Sequence, residues 1–176
     1  MTTKPGAGVG VRRAFGTGSA VSLFTLGTMR ALKDREQMVA IVRAAHAAGI
    51  NHLETAPAYG PAEIFLGQAL DQLAQEGIAP EGGWLITSKL LPGLSLDQGQ
   101  RALSACLERL GRPFLNGLAI HGLNREEHLR WAIEGDGARL LDWALKSGLV
   151  GQVGFSSHGS IPLIARAIAS GRFRFC

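Results

Sequence analysis

The feature that most constrains this chain is a regular alternation of short apolar runs and longer segments with helical spacing. The apolar runs, which are rich in β-branched residues, lie at 21–26, 51–55, 84–88, 118–120, 150–155 and 173–175. Strands that alternate with helices through short loops form parallel βαβ units. The alternation therefore predicts an α/β fold with a parallel sheet, in which residues 173–175 begin a sixth strand.

The helical segments between these strands carry recognisable end signals. Asp34 is predicted to cap the first helix, and Gly49 to end it. The later helices are predicted at 62–73, 97–111, 125–146 with a break at 135–137, and 161–170. Each apolar stripe faces one side of its helix, as expected for helices that cover a sheet.

Two architectures can hold such units, an open doubly wound sheet and a barrel. An open dinucleotide-binding sheet carries G-x-G-x-x-G after its first strand. Here Gly16 and Gly18 precede that strand, and no P-loop is present. We therefore predict a (β/α)8 TIM-barrel type of fold over residues 21–176, after a flexible glycine-rich segment at 1–20.

The length sets a limit on that barrel. A complete barrel of eight units takes roughly 250 residues, whereas this chain has 176 and ends within the sixth strand. We expect a C-terminally truncated barrel with about six strands, whose unpaired edges offer a route to self-association.

Composition excludes several other classes of protein. With 46% apolar and 18% charged residues, the chain is unlike a disordered segment. Its net charge of +4 is scattered rather than gathered in a basic stripe, so no nucleic-acid partner is expected. The apolar runs are too short to cross a bilayer. Cys106 and Cys176 are the only cysteines, so neither a disulfide framework nor a metal site is expected.

The start of the chain contains Arg12-Arg13 followed by an apolar stretch, which superficially resembles an export signal. Gly16, Gly18 and Ser22 interrupt that stretch, and no small-residue cleavage site follows. The same stretch is explained equally well by a first strand. We therefore predict a cytoplasmic location.

Polar side chains stand where successive strands end. Glu54 closes the second strand and Tyr59, the only tyrosine, follows it; Lys89 closes the third strand and His121 the fourth. Each alone has a structural reading, as a helix cap, a packing group or a solvated surface residue. In a parallel barrel, however, all these strand ends meet at one mouth. Their joint occurrence favours an active site.

These residues also carry a family resemblance. The segment from Glu54 to Leu70, ETAPAYGPAEIFLGQAL, resembles the aldo-keto reductase signature D-T-A-x-x-Y-G-x-x-E-x-x-L-G-x-A-L and differs only at its first position. Three shorter segments resemble other parts of the family pattern: Ile86 to Lys89, Ile120-His121 and Gly154 to His158. Together these matches extend over residues 21 to 158.

The resemblance implies an NADPH-dependent oxidoreductase that transfers hydride to the carbonyl of an aldehyde or ketone. Tyr59 would be the general acid, and Lys89 would lower the pKa of its phenol. Glu54 would hold Lys89, and His121 would orient the carbonyl. The family's cofactor-binding segment places Ser156 and Ser157 on the nicotinamide carboxamide. The implied substrate is a small-molecule carbonyl compound, with no nucleic-acid or membrane partner.

Three departures from the family pattern keep a second hypothesis open. Glu54 is one methylene longer than the family's Asp, and Ser157 stands where the family has Asn. The last barrel units, which supply most adenosine and phosphate contacts in the family, have no counterpart in residues 1–176. The alternative is a truncated, non-catalytic half-barrel remnant or an interaction subunit. Whether this chain is an active enzyme stays undecided by its sequence.

Overall fold

The computed structural model describes residues 11–176 as one set of short strands alternating with helices. The strands are β1 (Arg12–Arg13), β2 (Val21–Ser22), β3 (Leu26–Gly27), β4 (His52–Glu54), β5 (Leu85–Leu90), β6 (Gly117–Ile120) and β7 (Val153–Phe155). The helices are α1 (Arg35–Ala47), α2 (Ala62–Gln75), α3 (Leu96–Leu110), α4 (Glu126–Glu134), α5 (Asp136–Lys146) and α6 (Ile161–Ala169). A 3-10 turn at Pro57–Tyr59 links β4 to α2.

The main sheet has five parallel strands in the order β3-β4-β5-β6-β7, which is also their order in the chain. Each strand therefore lies beside its successor, and the sheet has no point at which the strand order reverses. A doubly wound sheet requires such a reversal, whereas a barrel wall does not. The parallel α/β architecture predicted from the alternation is confirmed, and its topology is that of a barrel wall.

The first predicted strand, 21–26, is corrected by the structure. Val21–Ser22 pairs antiparallel with Arg12–Arg13, and only Leu26–Gly27 joins the parallel sheet. The break has a local cause, because the Ser22 hydroxyl donates to the Phe24 carbonyl at 2.6 Å and turns the chain there. Leu23 and Phe24 project into solvent at this turn.

The predicted N-terminal segment at 1–20 is described from residue 11 onward. Residues 15–18 lie against the start of β7, where the buried Gln152 side chain accepts from the Thr17 N–H at 3.0 Å and donates to the Phe15 carbonyl at 2.9 Å. The centroid of the Phe15 ring lies 4.7 Å from that of His52 and 4.5 Å from that of Phe175, and both contacts are tilted. Residue 15 thus joins the N-terminal segment to β4 and to the end of the chain.

The predicted sixth strand, 173–175, is reduced to one parallel bridge between Gly154 and Phe175. The ring of Phe175 packs so closely there that a β-carbon on Gly154 would meet it at 2.5 Å. Glycine at 154 is therefore what lets this aromatic ring reach the inner face of the sheet.

Helix ends follow the capping signals in the sequence. The Asp34 carboxylate accepts from the Gln37 N–H at 2.8 Å, which confirms it as the cap of α1. Ser95 caps α3 through a capping box with Gln98, so this helix begins at Leu96, one residue before its predicted start. The predicted break at 135–137 separates α4 from α5. These helices pack on the outer face of the sheet and bury one continuous apolar layer with Leu53, Ile86 and Leu118 at its centre, whereas the inner face carries polar side chains.

Within residues 11–176, no helix combines the length and the apolar character required to cross a bilayer.

Candidate active site

The polar residues predicted from the strand ends gather around one cavity of about 630 Å³ at the carboxyl edge of the sheet. Alternation along β4 and β5 turns Glu54 and Lys89 toward the inside, and the turn after β4 brings Tyr59 over them. His121 follows β6 directly, and Ser156 follows β7. The structure thus brings together five of the six predicted site residues, all except Ser157.

Lys89 is the centre of this group. Its Nζ donates to the Tyr59 hydroxyl oxygen at 2.8 Å and to the Thr55 carbonyl at 3.3 Å. It also forms an ion pair with the Glu54 carboxylate, so the extra methylene of Glu54 does not prevent contact with the lysine. The side chain of Lys89 is almost fully buried. These three oxygen partners, each held by the fold, determine the direction of the Lys89 ammonium group.

Burial shifts the titration of this pair. Desolvation lowers the pKa of Lys89 to about 8 and raises the pKa of Tyr59 above its ordinary value. The direction at Tyr59 is opposite to the sequence-based prediction, in which the ammonium lowers the phenol's pKa. Desolvation of the partly buried phenol is the cause of this rise. The phenol is therefore protonated at neutral pH.

His121 stands beside the phenol. Its ring centroid is 5.7 Å from that of Tyr59, and the two rings meet edge to face at 84°. Burial, together with the charge of Lys89, lowers the pKa of His121. A neutral imidazole at this position can still donate one hydrogen bond into the cavity.

The two predicted cofactor-binding serines differ in what they can reach. Ser156 lines the cavity, and its Oγ accepts from the Gly122 N–H at 3.1 Å; within residues 11–176 its own proton has no acceptor and is available to donate. Ser157 is outside the cavity lining; its hydroxyl donates to the Leu123 carbonyl at 2.5 Å and accepts from the Gly159 N–H at 2.9 Å. Its hydrogen-bonding capacity is used within the loops.

Several lining residues were not found from the sequence. Asn124 and His158 stand at the rim, and Met29, Phe155 and Phe175 supply apolar wall. Phe155 and His158 lie within the Gly154 to His158 segment that carried the family resemblance, and Asn124 lies three residues after His121. Met29 and Phe175 are brought in by tertiary packing.

His52 also lines this cavity. It is buried, and its Nδ1 and Nε2 atoms lie 2.9 Å from the Thr25 hydroxyl and 2.8 Å from the Thr87 hydroxyl. Burial lowers the pKa of His52 to about 4. It is thus a neutral, hydrogen-bonded group that ties β4 to its neighbours below the polar cluster.

Comparison with known proteins gives one family and a consistent fold. The model of the Aldo/keto reductase family matches residues 23–175. A putative aldo-keto reductase from Pseudomonas aeruginosa is 26% identical, with a TM-score of 0.75 over 90% of this chain and 64% of that one.

Two more distant structures show the same fold. An aldo-keto reductase from Bombyx mori, in complex with NADP, is 22% identical, with a TM-score of 0.74 over 94% of this chain and 56% of that one. The holo form of an aldo-keto reductase from Bacillus halodurans is 21% identical, with a TM-score of 0.74 over 93% of this chain and 55% of that one. The chain therefore spans between 55% and 64% of the length of these three proteins. The match over most of its length shows that the chain belongs to the aldo/keto reductase family.

Proposed function

We propose that this chain carries the catalytic centre of an NADP(H)-dependent oxidoreductase that reduces the carbonyl of a small aldehyde or ketone, with Tyr59 as general acid. The observation that carries the proposal is the 2.8 Å contact from Lys89 Nζ to the Tyr59 hydroxyl, in a cavity shared with Glu54 and His121. The family uses NADP(H), in agreement with the cofactor predicted from the sequence.

The phenol is arranged to release a proton into the cavity. Lys89 donates to a lone pair of the Tyr59 oxygen, so the phenolic proton points away from the lysine. Negative charge grows on a carbonyl oxygen as its carbon is reduced, and an acid that meets this oxygen stabilises that charge. When Tyr59 gives up its proton, the ammonium of Lys89 is already in place beside the phenolate.

Two neighbours support this transfer. Glu54 pairs with Lys89 and keeps its ammonium directed toward the phenol. His121, neutral because its pKa is lowered, can donate to the same carbonyl oxygen and orient it. Glu54 therefore acts through Lys89, and His121 acts on the carbonyl oxygen that receives the Tyr59 proton.

The residues present fit a nicotinamide cofactor. When bound, NADPH supplies the hydride, and the protein supplies the binding and the orientation. The cavity is large enough for a flat ring beside a small carbonyl compound. The free Ser156 proton faces it at the end of β7, where the family resemblance places the carboxamide. Among residues 11–176, no cluster of three or more His, Cys, Asp or Glu side chains is grouped as a metal site requires.

The walls of the cavity indicate a substrate with an apolar body. Met29, Phe155 and Phe175 contribute apolar surface, whereas the polar atoms gather at Tyr59 and His121. A carbonyl at the polar end and a hydrocarbon or aromatic group along the wall satisfy both regions.

The test is NADPH binding by fluorescence titration, followed by turnover of a generic aldehyde, for the wild type and Tyr59→Phe. We expect Tyr59→Phe to bind NADPH within about twofold of the wild type and to lose turnover by roughly 10²–10⁴-fold. Asp71→Asn, at an exposed ion pair with Arg112 remote from the cavity, is the control expected to keep both properties.

Two outcomes would contradict the proposal. Turnover by Tyr59→Phe at the wild-type rate would remove Tyr59 as the acid. Folded wild-type protein that fails to bind NADPH would favour the second hypothesis, a non-catalytic subunit that keeps the fold.

A further inference from the structure

The loops after β6 and β7 are joined at the rim of the cavity by four hydrogen bonds. The Gly122 and Leu123 N–H groups donate to the Oγ and the carbonyl of Ser156, at 3.1 and 2.7 Å. In return, the Ser157 hydroxyl donates to the Leu123 carbonyl at 2.5 Å and the His158 N–H donates to Asn124 Oδ1 at 2.7 Å. These contacts decide which donors remain free to face the cavity.

Ser157 is excluded as such a donor by its partners. Its one proton is given to Leu123 and its oxygen accepts from Gly159, so a ligand oxygen would have to compete with the Leu123 carbonyl for that proton. A serine hydroxyl has a single proton. The family pattern has an asparagine at this position, and Ser157 does not replace the hydrogen-bonding function of its side-chain amide.

Asn124 presents an amide at the same rim. Because its Oδ1 accepts from the His158 N–H, the assignment of its oxygen and nitrogen follows from the contact, and Nδ2 points the other way. Nδ2 lies over Gly122, where a β-carbon would meet it at 3.1 Å. Gly122 also donates to Ser156 Oγ, so Asn124 Nδ2 and the free Ser156 proton flank one glycine. Asn124, Gly122 and Ser156 all line the cavity.

We propose that Asn124 Nδ2 and the Ser156 hydroxyl together donate to the carboxamide oxygen of the nicotinamide, so that Asn124 supplies the amide function that Ser157 lacks. This inference rests on the proposed function, since it names a residue that holds the cofactor of that same site. Among residues 11–176, Asn124 Nδ2 has no acceptor at hydrogen-bond distance. A carbonyl oxygen has two lone pairs and can accept from both donors.

The position of Asn124 explains how this chain tolerates serine at 157. The side chain of Asn124 is held at Oδ1 by the loop after β7, so its direction depends on the same segment that carries Ser156. The glycine between the two donors has a φ of +78°, a conformation that β-carbon-bearing residues rarely adopt. The backbone of Gly122 thus shapes the rim, and each of the two loops supplies one hydrogen-bond donor there, Asn124 Nδ2 and the Ser156 hydroxyl.

The experiment measures dissociation constants by fluorescence titration for NADPH and for reduced thionicotinamide-NADP, whose sulfur is a poor acceptor. Asn124→Asp keeps an oxygen for the His158 N–H and replaces the Nδ2 donors with a negatively charged acceptor, so the change in preference between the two cofactors, rather than the affinity alone, reports the lost donors. We expect the wild type to bind NADPH about tenfold more tightly than the thio analogue, and Asn124→Asp to lose about tenfold in NADPH affinity together with most of this preference.

Ser157→Ala is the matched control, because Ser157 does not line the cavity and its hydroxyl is engaged by Leu123 and Gly159, and we expect it to keep the preference for NADPH over the thio analogue. Equal NADPH affinity of the wild type and Asn124→Asp overturns the assignment while leaving the proposed function intact. Loss of the preference in Ser157→Ala but not in Asn124→Asp overturns it as well. Folded wild-type protein that binds no NADPH overturns the proposed function and, with it, this assignment.

Discussion

Glu63 is a carboxylate with no solvent exposure, held by three donors from two elements. Its Oε1 accepts from the Ser88 hydroxyl at 2.6 Å and from the Cys106 thiol at 3.0 Å, and its Oε2 accepts from Arg109 Nε at 2.7 Å. It therefore links the start of α2 both to β5, one residue before Lys89, and to α3. We predict that Glu63→Gln, which keeps the shape and removes the charge, is strongly destabilising.

The magnitude follows from the exposure of the two partners. Removing one member of a fully buried ion pair costs about 3–5 kcal/mol. The Arg109 side chain is 32% exposed, so water can hydrate part of the charge left behind. A glutamine can also accept from Arg109 through its amide oxygen and donate to the Ser88 hydroxyl oxygen through its amide nitrogen. We therefore expect the free energy of unfolding to fall by about 2–3 kcal/mol, and the Tm by about 5–10 °C.

Urea unfolding followed by circular dichroism measures this change, provided that the m-value is the same in both proteins. The control is Asp71→Asn, which breaks a 2.8 Å ion pair between α2 and Arg112 in which the Asp71 side chain is 59% exposed. Exposed pairs contribute less than about 1 kcal/mol. If Glu63→Gln destabilised the protein no more than Asp71→Asn does, the argument from burial would be refuted.

Two other substitutions probe the packing and the buried histidine. Gly67→Ala places a β-carbon 2.5 Å from the Leu110 carbonyl oxygen and should lower the free energy of unfolding by about 1–3 kcal/mol in the urea assay, whereas Gly27→Ala, with its nearest neighbour at 3.6 Å, should change it little. The pKa of His52 is about 4 when folded against 6.5 when unfolded, so the unfolded chain binds more protons between these values and stability falls as the pH is lowered from 6.5 to 4. The test compares the free energies of unfolding of the wild type and His52→Gln across this pH range. We expect the free energy to fall by up to about 3 kcal/mol less in His52→Gln than in the wild type. Identical pH profiles would contradict a lowered pKa of His52.

Where the sequence-based predictions succeeded, a periodic or topological rule was enough. Strand and helix alternate at spacings that only parallel βαβ units satisfy, and the carboxyl ends of parallel strands meet at one edge whatever the loops do. Tyr59, Lys89 and His121 share a cavity for that reason. The extra methylene of Glu54 changed little, because a flexible carboxylate still reaches the lysine.

The failures share a different cause. The strand expected at 21–26 breaks because the Ser22 hydroxyl donates to the Phe24 carbonyl, and the periodicity of the sequence does not predict this hydrogen bond. The strand expected at 173–175 contributes one bridge. The predicted lowering of the pKa of Tyr59 became a rise, since desolvation depends on everything that surrounds the ring.

The sequence by itself determined the class of fold, the order of the strands, the family and the set of polar residues at the strand ends, because these follow from periodicity, capping signals and a long signature. Only the tertiary structure decided which of those residues face the cavity with a free hydrogen-bonding group. Ser157 and Asn124 illustrate the difference: both lie in loops after strands, yet contacts across the two loops use the hydroxyl of Ser157, whereas they hold Asn124 by Oδ1 and, among residues 11–176, leave its Nδ2 without an acceptor. Such contacts join residues more than thirty positions apart, and no local pattern in the chain encodes them.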